Sequence, residues 1–543
     1  MKKLLFLLPL AIMTFSCSQK EKVDTILTNA TIYSVDKDFS KANAAAINDG
    51  KFVAVGEKKE ILQKFSSNNT KDLQEKYVYP GFIDPHCHFH GYSLNLRKVD
   101  LVGTQSLDEI VDRLKDYNEE YDPEWILGRG WDQNDWEKKE FPHKKALDEV
   151  FPDKPVYLTR IDGHAAYVNS AALEQAGMTK AKEVEGGKIM QQAGEPTGIL
   201  IDNAMGVVSE HIPPPTEKEE IDAILQGQEN CFEVGLTMVA DAGLSYSPVH
   251  LMDSLQKEGE LEMNIYAMLS PTKENIDVFV KQGTYKTDKM HIQSIKLFAD
   301  GALGSRGACL LEPYSDDPEN YGIIVTDKDS LQHFSELAYE NNYQVNTHAI
   351  GDSANRLMLN IYGDLLNGEN DRRWRIEHAQ IIHPDDFELF SKHSIIPAVN
   401  TTHATSDMYW AEDRIGEERI ENAYAYKKLL EENGWLPNGS DFPVENINPL
   451  YGFYAGVARK DLEGYPEGGF QKKDALTRKE ALKSMTIWAA KSCFEENQRG
   501  SIEKNKEADF VVTDQDLMNV KEDNIPETQV LETYIHGEKV YEK

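Results

Sequence analysis

Basic side chains are scarce in this sequence: 58 lysines and arginines stand against 92 aspartates and glutamates over 543 residues, a formal charge of −34. A surface so acidic repels phosphate backbones, so nucleic acid is excluded as an expected partner. Cysteine is scarcer still. The five (Cys17, Cys87, Cys231, Cys309 and Cys493) are scattered, odd in number and without a close pair, which argues against a disulfide framework even in an exported protein. There is no repeat of solenoid period, no low-complexity tract and no long run of like charge. What remains is an ordinary globular composition, 40% apolar and 28% charged, with ample material for a large core. At about 150 residues per domain the length allows two to four domains, although a barrel can take about 250 as one.

The first residues bear on the compartment. Met1-Lys2-Lys3, the apolar run Leu4 to Phe15 and then Ser16-Cys17-Ser18 read as a secretory signal. The run contains Pro9 and falls short of the roughly 20 residues that a membrane span needs. Ser16-Cys17 resembles the lipobox of bacterial lipoproteins. That resemblance implies cleavage before Cys17 and lipid attachment to its thiol, with the chain exported and tethered to the cell envelope by its lipid alone. A plain signal peptide with an incidental cysteine is the alternative. Residues 1–22 are set aside from the fold.

Both ends of the remaining chain are strand-like. Thr25 to Tyr33 alternates, Asp49-Gly50 turns into Lys51 to Val55, and residues 58–66 suit a short helix. Ala508 to Val512 and Leu531 to Val540, broken by a His536-Gly537 turn, read as strands too. The economical arrangement is one small composite β-sandwich domain from residues 23–79 and 490–543. Between them, residues 80–489 alternate short buried strands with helices. Asp329 to Asn341 is helical, Tyr343 to Thr347 a strand, and Ser353 to Leu366 helical again, with apolar residues at Ala354, Leu357, Met358, Ile361 and Leu365. This is α/β patterning with a parallel sheet. Periodicity does not separate a closed barrel from an open sheet. Residues 101–205 are turn-rich and read as an insertion or lid over the active-site face.

The chemistry concentrates in a few places. In Pro80-Gly81-Phe82-Ile83-Asp84-Pro85-His86-Cys87-His88, residues two apart on a strand share a face, so His86 and His88 project together and can bind one ion. Asp84 shares that face and can orient one of them. His348 and His378 each end a strand, the place where a parallel barrel keeps its active site. Asp441, in Asn438-Gly439-Ser440-Asp441-Phe442-Pro443, offers a carboxylate in the same position. Lys296, within Ser294 to Phe298, is costly to bury unless paired or modified, or else snorkels at a strand end. Asp162, His164 and Trp131 in the turn-rich insertion are candidates for substrate contact. Asp300 and Arg306 either meet a charged substrate or pair with each other.

Taken in order, PGFIDPHCHFHGY, RIDGHAAYVNSAAL, EPTGIL, SIKLFADGALGSRGA, NTHAIGD, IEHAQII, NGSDFPVE and GSIEKNKEADFVV resemble the amidohydrolase superfamily. Within it they resemble the amidohydrolase-3 group, which includes YtcJ-like proteins and N-substituted formamide deformylases. The resemblance runs from about Val23 to the C-terminus. It implies a distorted (β/α)₈ TIM barrel with an insertion beside the composite β-domain. It also implies a ligand set of His86 and His88 on the first barrel strand, Lys296 on the fourth, His348 on the fifth, His378 on the sixth and Asp441 on the eighth. In related enzymes the lysine is carboxylated and bridges two metals, so one or two divalent ions are expected, zinc first among them.

The expected chemistry is hydrolysis of a non-peptide C–N bond in a small molecule. The ion would bring the pKa of water from about 15.7 towards 7, and Asp441 would take the proton and pass it to the leaving nitrogen. An esterase or lactonase on the same scaffold, and a surface lipoprotein that captures a ligand without chemistry, are the competing readings. A homodimer stays open.

Overall fold

A computed structural model describes residues 20–178, 180 and 183–543. Cys17 and its lipobox lie outside the described residues. Among those described, no helix is long and apolar enough to cross a membrane.

The centre of the molecule is a parallel barrel. Its strands are β1 (Phe82–Cys87), β2 (Leu236–Leu244), β3 (Asn264–Leu269), β4 (Met290–Phe298), β5 (Gln344–Ala349), β6 (Arg375–His378) and β7 (Ile396–Ala398), hydrogen-bonded in that order. Residues 437–442 take the eighth place without forming a regular ladder. On one side the Gly439 amide donates to Val399 O at 3.0 Å. On the other, the Asp441 amide donates to His86 O and the His88 amide to Phe442 O, both at 2.8 Å. These few bonds close the ring. Gly439 has to be glycine here: a Cβ would lie 2.8 Å from Asp84 Oδ1 and from both His86 N and His86 O.

Every residue of β3 and β5 is buried. That follows from the architecture, because helices cover the outside of each strand while side chains fill the inside. The helices are those the periodicity calls for. Asp352–Leu366 buries Ala354, Met358, Ile361 and Tyr362 along one face and stops at Asn367 in the left-handed conformation. Lys328–Glu340 starts where the Asp327 side chain accepts from the Ser330 amide.

Both chain ends join one seven-stranded sheet. In spatial order its strands are Glu538–Glu542, Val530–Ile535, Phe510–Thr513, Asn69–Pro80, Thr25–Tyr33, Lys41–Asn48 and Lys51–Gly56. The sheet folds over on itself. Phe52 on the last strand donates its amide to Lys506 O at 2.9 Å, and its ring lies 6.0 Å from that of Phe510. An apolar cluster of Leu27, Ile32, Phe52, Val78, Phe510 and Tyr534 fills the fold.

Residues 101–205 are more regular than a turn-rich lid. Together with Val99–Asp100 they build a second sheet of Val99–Asp100, Ile126–Trp131, Val156–Arg160, Ala165–Val168, Glu195–Asp202 and Gly187–Gln192. It buries both faces, one around Trp131, Leu158 and Tyr167 and the other around Tyr157, Val168 and Leu200. This subdomain, rather than loose loops, forms one wall of the cavity at the barrel mouth.

Candidate active site

A cavity of about 690 Å³ opens at the C-terminal ends of the barrel strands. His88, Lys296, His348, His378 and Asp441 line its floor, with His86 directly behind them, 1% exposed. The barrel therefore brings all six residues expected as metal ligands into one place. Two of the positions are unusual in backbone. His378 and Asp441 have φ of 71° and 62°, the left-handed region that non-glycine residues rarely occupy and that tends to mark functional sites.

Hydrogen bonds decide which ring nitrogens face the cavity. His86 Nδ1 meets the Glu377 carboxylate, an acceptor only, so Nδ1 carries the proton and Nε2 a lone pair. His88 Nδ1 donates to Ala242 O at 3.0 Å, which frees its Nε2 in the same way. His378 Nδ1 donates to Asn400 Oδ1 at 3.0 Å, and the orientation of that amide is settled by its NH₂ donating to Gly439 O at 3.1 Å. Buttressing one imidazole nitrogen so that the other can ligate is the usual arrangement behind a metal site.

The freed atoms converge on one carboxylate. Asp441 Oδ1 lies 3.4 Å from His86 Nε2 and 3.3 Å from His88 Nε2. It is buried without a hydrogen-bond donor among the described residues. Two lone pairs facing a carboxylate oxygen repel one another unless a cation sits between them. His86, His88 and Asp441 can hold one ion, and His378, His403 and Asp441 form a second such group. The donors thus fit a divalent metal.

The electrostatics agree. Burial, followed by the Lys296 charge, pushes His86 down to about 4. Burial takes His348 and His378 well below the usual imidazole range. Neutral rings are the form that binds metal. Burial likewise brings Lys296 down to about 8. Its ammonium lies 3.1 Å from His86 Nε2 and 4.9 Å from the centre of the Phe298 ring.

The remaining candidates separate. His164 lines the cavity, its Nδ1 2.7 Å from Asp202 Oδ1 and its ring 5.3 Å from that of His348. Asp162 also lines it but is committed to Arg160, at 2.5 Å, and to the His164 amide, at 2.9 Å. Trp131 is not at the wall. It is 0% exposed, donates its indole N–H to Leu158 O and packs against Trp136, Phe141 and Tyr167 as core of the insertion. Asp84 acts on the backbone rather than on an imidazole: its carboxylate accepts from the His86 amide and from the Ser440 amide and hydroxyl, which fastens the eighth segment to β1. Asp300 and Arg306 do not pair. Asp300 accepts the amides of Cys309, Ile350 and Gly351, tying two loops together, and Arg306 pairs with Asp316.

Two residues were not anticipated. His403 sits just past β7, its Nε2 3.7 Å from Asp441 Oδ2. Unlike His348 and His378 it is not at a strand end but within the helix Thr401–Asp407 that follows β7, and Pro397 hides the strand before it. Glu377 precedes His378 and is fully buried between Arg375 and His86.

The sequence signature described as "Amidohydrolase family" matches residues 69–541. The chain is 32% identical to Protein LONG AFTER FAR-RED 3 of Arabidopsis thaliana, over 95% of this chain and 91% of that protein. It is 24% identical to N-substituted formamide deformylase of Arthrobacter pascens, over 96% and 98% respectively. Among solved structures, an uncharacterized metal-dependent hydrolase from Pyrococcus horikoshii superposes with a TM-score of 0.75 at 29% identity, covering 92% of this chain and 99% of that one.

Proposed function

The chain belongs to the amidohydrolase family, and from that premise we propose that it hydrolyses a non-peptide, amide-type C–N bond of a small molecule with one or two divalent cations at the barrel mouth. The observation that carries the reading is the convergence of the His86 Nε2 and His88 Nε2 lone pairs on an Asp441 oxygen that has no hydrogen-bond donor among the described residues. The likeness to N-substituted formamide deformylase, whose name describes cleavage of a C–N bond, supports the bond class.

A divalent ion held by these donors would supply a water of pKa about 7 and a Lewis acid for a carbonyl oxygen. Neutral imidazoles beside a carboxylate suit zinc. The chain's own residues supply the rest. Glu377, Ala242 O and Asn400 hold the three imidazoles in the ligating tautomer. Asp441 has a second oxygen, Oδ2, facing His403, and can take a proton from the attacking water and return it to the departing nitrogen. Without that transfer an amide nitrogen leaves as a poor anion. Lys296, wholly buried and without a carboxylate partner among the described residues, would add oxygen donors to the metal site if its neutral amine took up CO₂ as a carbamate. His164, held by Asp202 beside His348, faces the substrate. Tethering of the enzyme to the cell envelope through Cys17 belongs to the same reading and is supported by the lipobox-like Ser16-Cys17 alone.

The test is a screen of N-formyl and N-acyl amines against lactones with wild-type protein and Asp441→Asn. Turnover of an amide, reduced about 10²- to 10⁴-fold in the variant, is expected for a general base. Nearly full activity in the variant would remove Asp441 from the mechanism. Turnover of lactones alone would replace the bond class.

A further inference from the structure

Besides Lys296, two cations line the cavity with no carboxylate paired to either among the described residues. The Lys98 ammonium donates to Asn95 Oδ1 at 2.8 Å. Arg129 donates from one terminal nitrogen to Pro443 O at 2.5 Å and from the other to Ile161 O at 2.8 Å. A guanidinium has five N–H donors, so most of its capacity stays free. The two charges are neighbours: Asp100, two residues after Lys98, is the strand partner of Arg129. Burial, then Arg129, brings Lys98 down to about 8, and burial brings Arg129 down to about 10.

Two like charges held side by side and half-buried call for a counter-charge. The chain could have supplied one, having 92 carboxylates for 58 cations. The carboxylates nearby are committed elsewhere. Asp162 serves Arg160 and the His164 amide, Asp100 Oδ1 accepts the Val102 amide, and Asp441 belongs to the metal-ligating group. Arg459 also lacks a carboxylate, but the rings of Tyr426 and Phe470 and the Phe470 carbonyl enclose it away from the cavity. Lys98 and Arg129 face open space.

Their anchorage places them within reach of the reacting centre. Pro443, which Arg129 holds, follows Asp441 by two residues. Lys98 lies just past the helix Phe89–Asn95 that begins after His88. These segments also give the cavity an apolar contribution, Leu96, Val99, Val102, Val444 and Ile447, beside the polar Asn95, Asp100, Glu445 and Asn446.

We propose that Lys98 and Arg129 bind a carboxylate carried by the substrate, at the end of an apolar stem whose other end presents the scissile bond to His86, His88 and Asp441. The substrate class is then an amide bearing a free carboxylate. The proposal rests on the hydrolase reading, but its test does not require turnover.

The test is calorimetric titration of the full chain with 3-phenylpropionate and with its neutral counterpart 3-phenylpropionamide. The proteins are wild type, Arg129→Gln, Lys98→Met and His86→Ala/His88→Ala. The carboxylate is expected to bind at least about tenfold more tightly than the amide, and each cation variant to lose about ten- to hundredfold, the effect of one charge-assisted hydrogen bond. The histidine variant should keep its affinity within about threefold. Should Arg129→Gln fail to fold, Lys98→Met decides, since among the described residues that side chain has Asn95 as its one hydrogen-bond partner. Equal binding of acid and amide, or no binding of either, would overturn the proposal. So would an affinity that follows the histidines and ignores both cations, because the carboxylate would then sit on the metal. A wrong hydrolase reading would show differently, as absent turnover with the carboxylate preference intact.

Discussion

Replacing Glu377 by glutamine tests how the barrel interior prepares its metal ligands. Glu377 and Arg375 are both 0% exposed. The guanidinium spends two donors on this carboxylate, at 2.6 and 2.9 Å, and one on Pro85 O at 2.7 Å. Burial alone would raise the Glu377 carboxyl, but Arg375 and then His86 hold it well below the usual carboxylate range. At an effective dielectric of about 20, opposite charges about 4 Å apart attract by about 4 kcal/mol. Glutamine removes that attraction and leaves the arginine buried without a counter-charge, for a loss of about 3–5 kcal/mol. The amide also turns an NH₂ towards either Arg375 or His86. Facing His86, it would move the imidazole proton to Nε2 and block the lone pair aimed at the metal. Metal affinity should therefore fall about 10- to 100-fold, as when other buttressing carboxylates are removed. Urea unfolding followed by tryptophan fluorescence reads the first effect, and competition with a chelator reads the second. A variant that lost under 1 kcal/mol and bound metal like the wild type would refute the reasoning.

Two further predictions concern the frame. Gly439→Ala places a methyl 2.8 Å from Asp84 Oδ1 and from the His86 backbone. It should cost about 1–3 kcal/mol by overpacking and reduce bound metal by displacing Asp441, as measured by thermal unfolding and elemental analysis. Glu507 joins Lys51 and His536 across the two chain ends. Burial would raise its carboxyl, but the hydrogen bonds from His536 and Lys51 bring it down from 4.5 to about 2. A depressed acid stabilises above its unfolded pKa and loses that contribution as pH falls through its folded one. Glu507→Gln should thus be about 1–2 kcal/mol less stable than wild type at pH 6, after allowance for solvent screening, with the gap closing as pH falls from 4.5 towards 2. Denaturant titrations at several pH values read the gap, and one that did not depend on pH would contradict the assignment.

The barrel was legible where strand and helix periods stood side by side. Tyr343 to Thr347 followed by Ser353 to Leu366 became β5 and the helix Asp352–Leu366 with boundaries shifted by a residue or two. Of the terminal strands, Thr25–Tyr33, Lys51–Gly56, Phe510–Thr513 and the pair around His536-Gly537 were legible, whereas Lys41–Asn48, an alanine-rich strand, and Asn69–Pro80, largely polar in its first half, were not named as strands. The insertion misled because its strands carry turn residues. Ile126–Trp131 holds Gly128 and Gly130, and Glu195–Asp202 contains Pro196 and Gly198. These glycines serve close packing: a Cβ on Gly128 would lie 2.9 Å from a Leu158 methyl. Trp131 looked like a contact residue because the loop reading of Gly128-Arg129-Gly130-Trp131 put it at the surface, whereas strand alternation turns it into the core. At the site, the histidines and Asp441 could be named from motif and strand position. His403 was hidden by the short strand around Pro397. The partners of Glu377 were hidden because they are set by tertiary contact: Arg375 shares its strand face two residues away, but His86 lies 291 positions distant.

The central claim is that His86, His88 and Asp441 hold a metal. Residues 23–543, purified beside a His86→Ala/His88→Ala control, should carry one to two equivalents of divalent metal per chain by elemental analysis, and the control should carry almost none. A wild-type chain that took up no metal after reconstitution with zinc, manganese and bicarbonate would contradict the account.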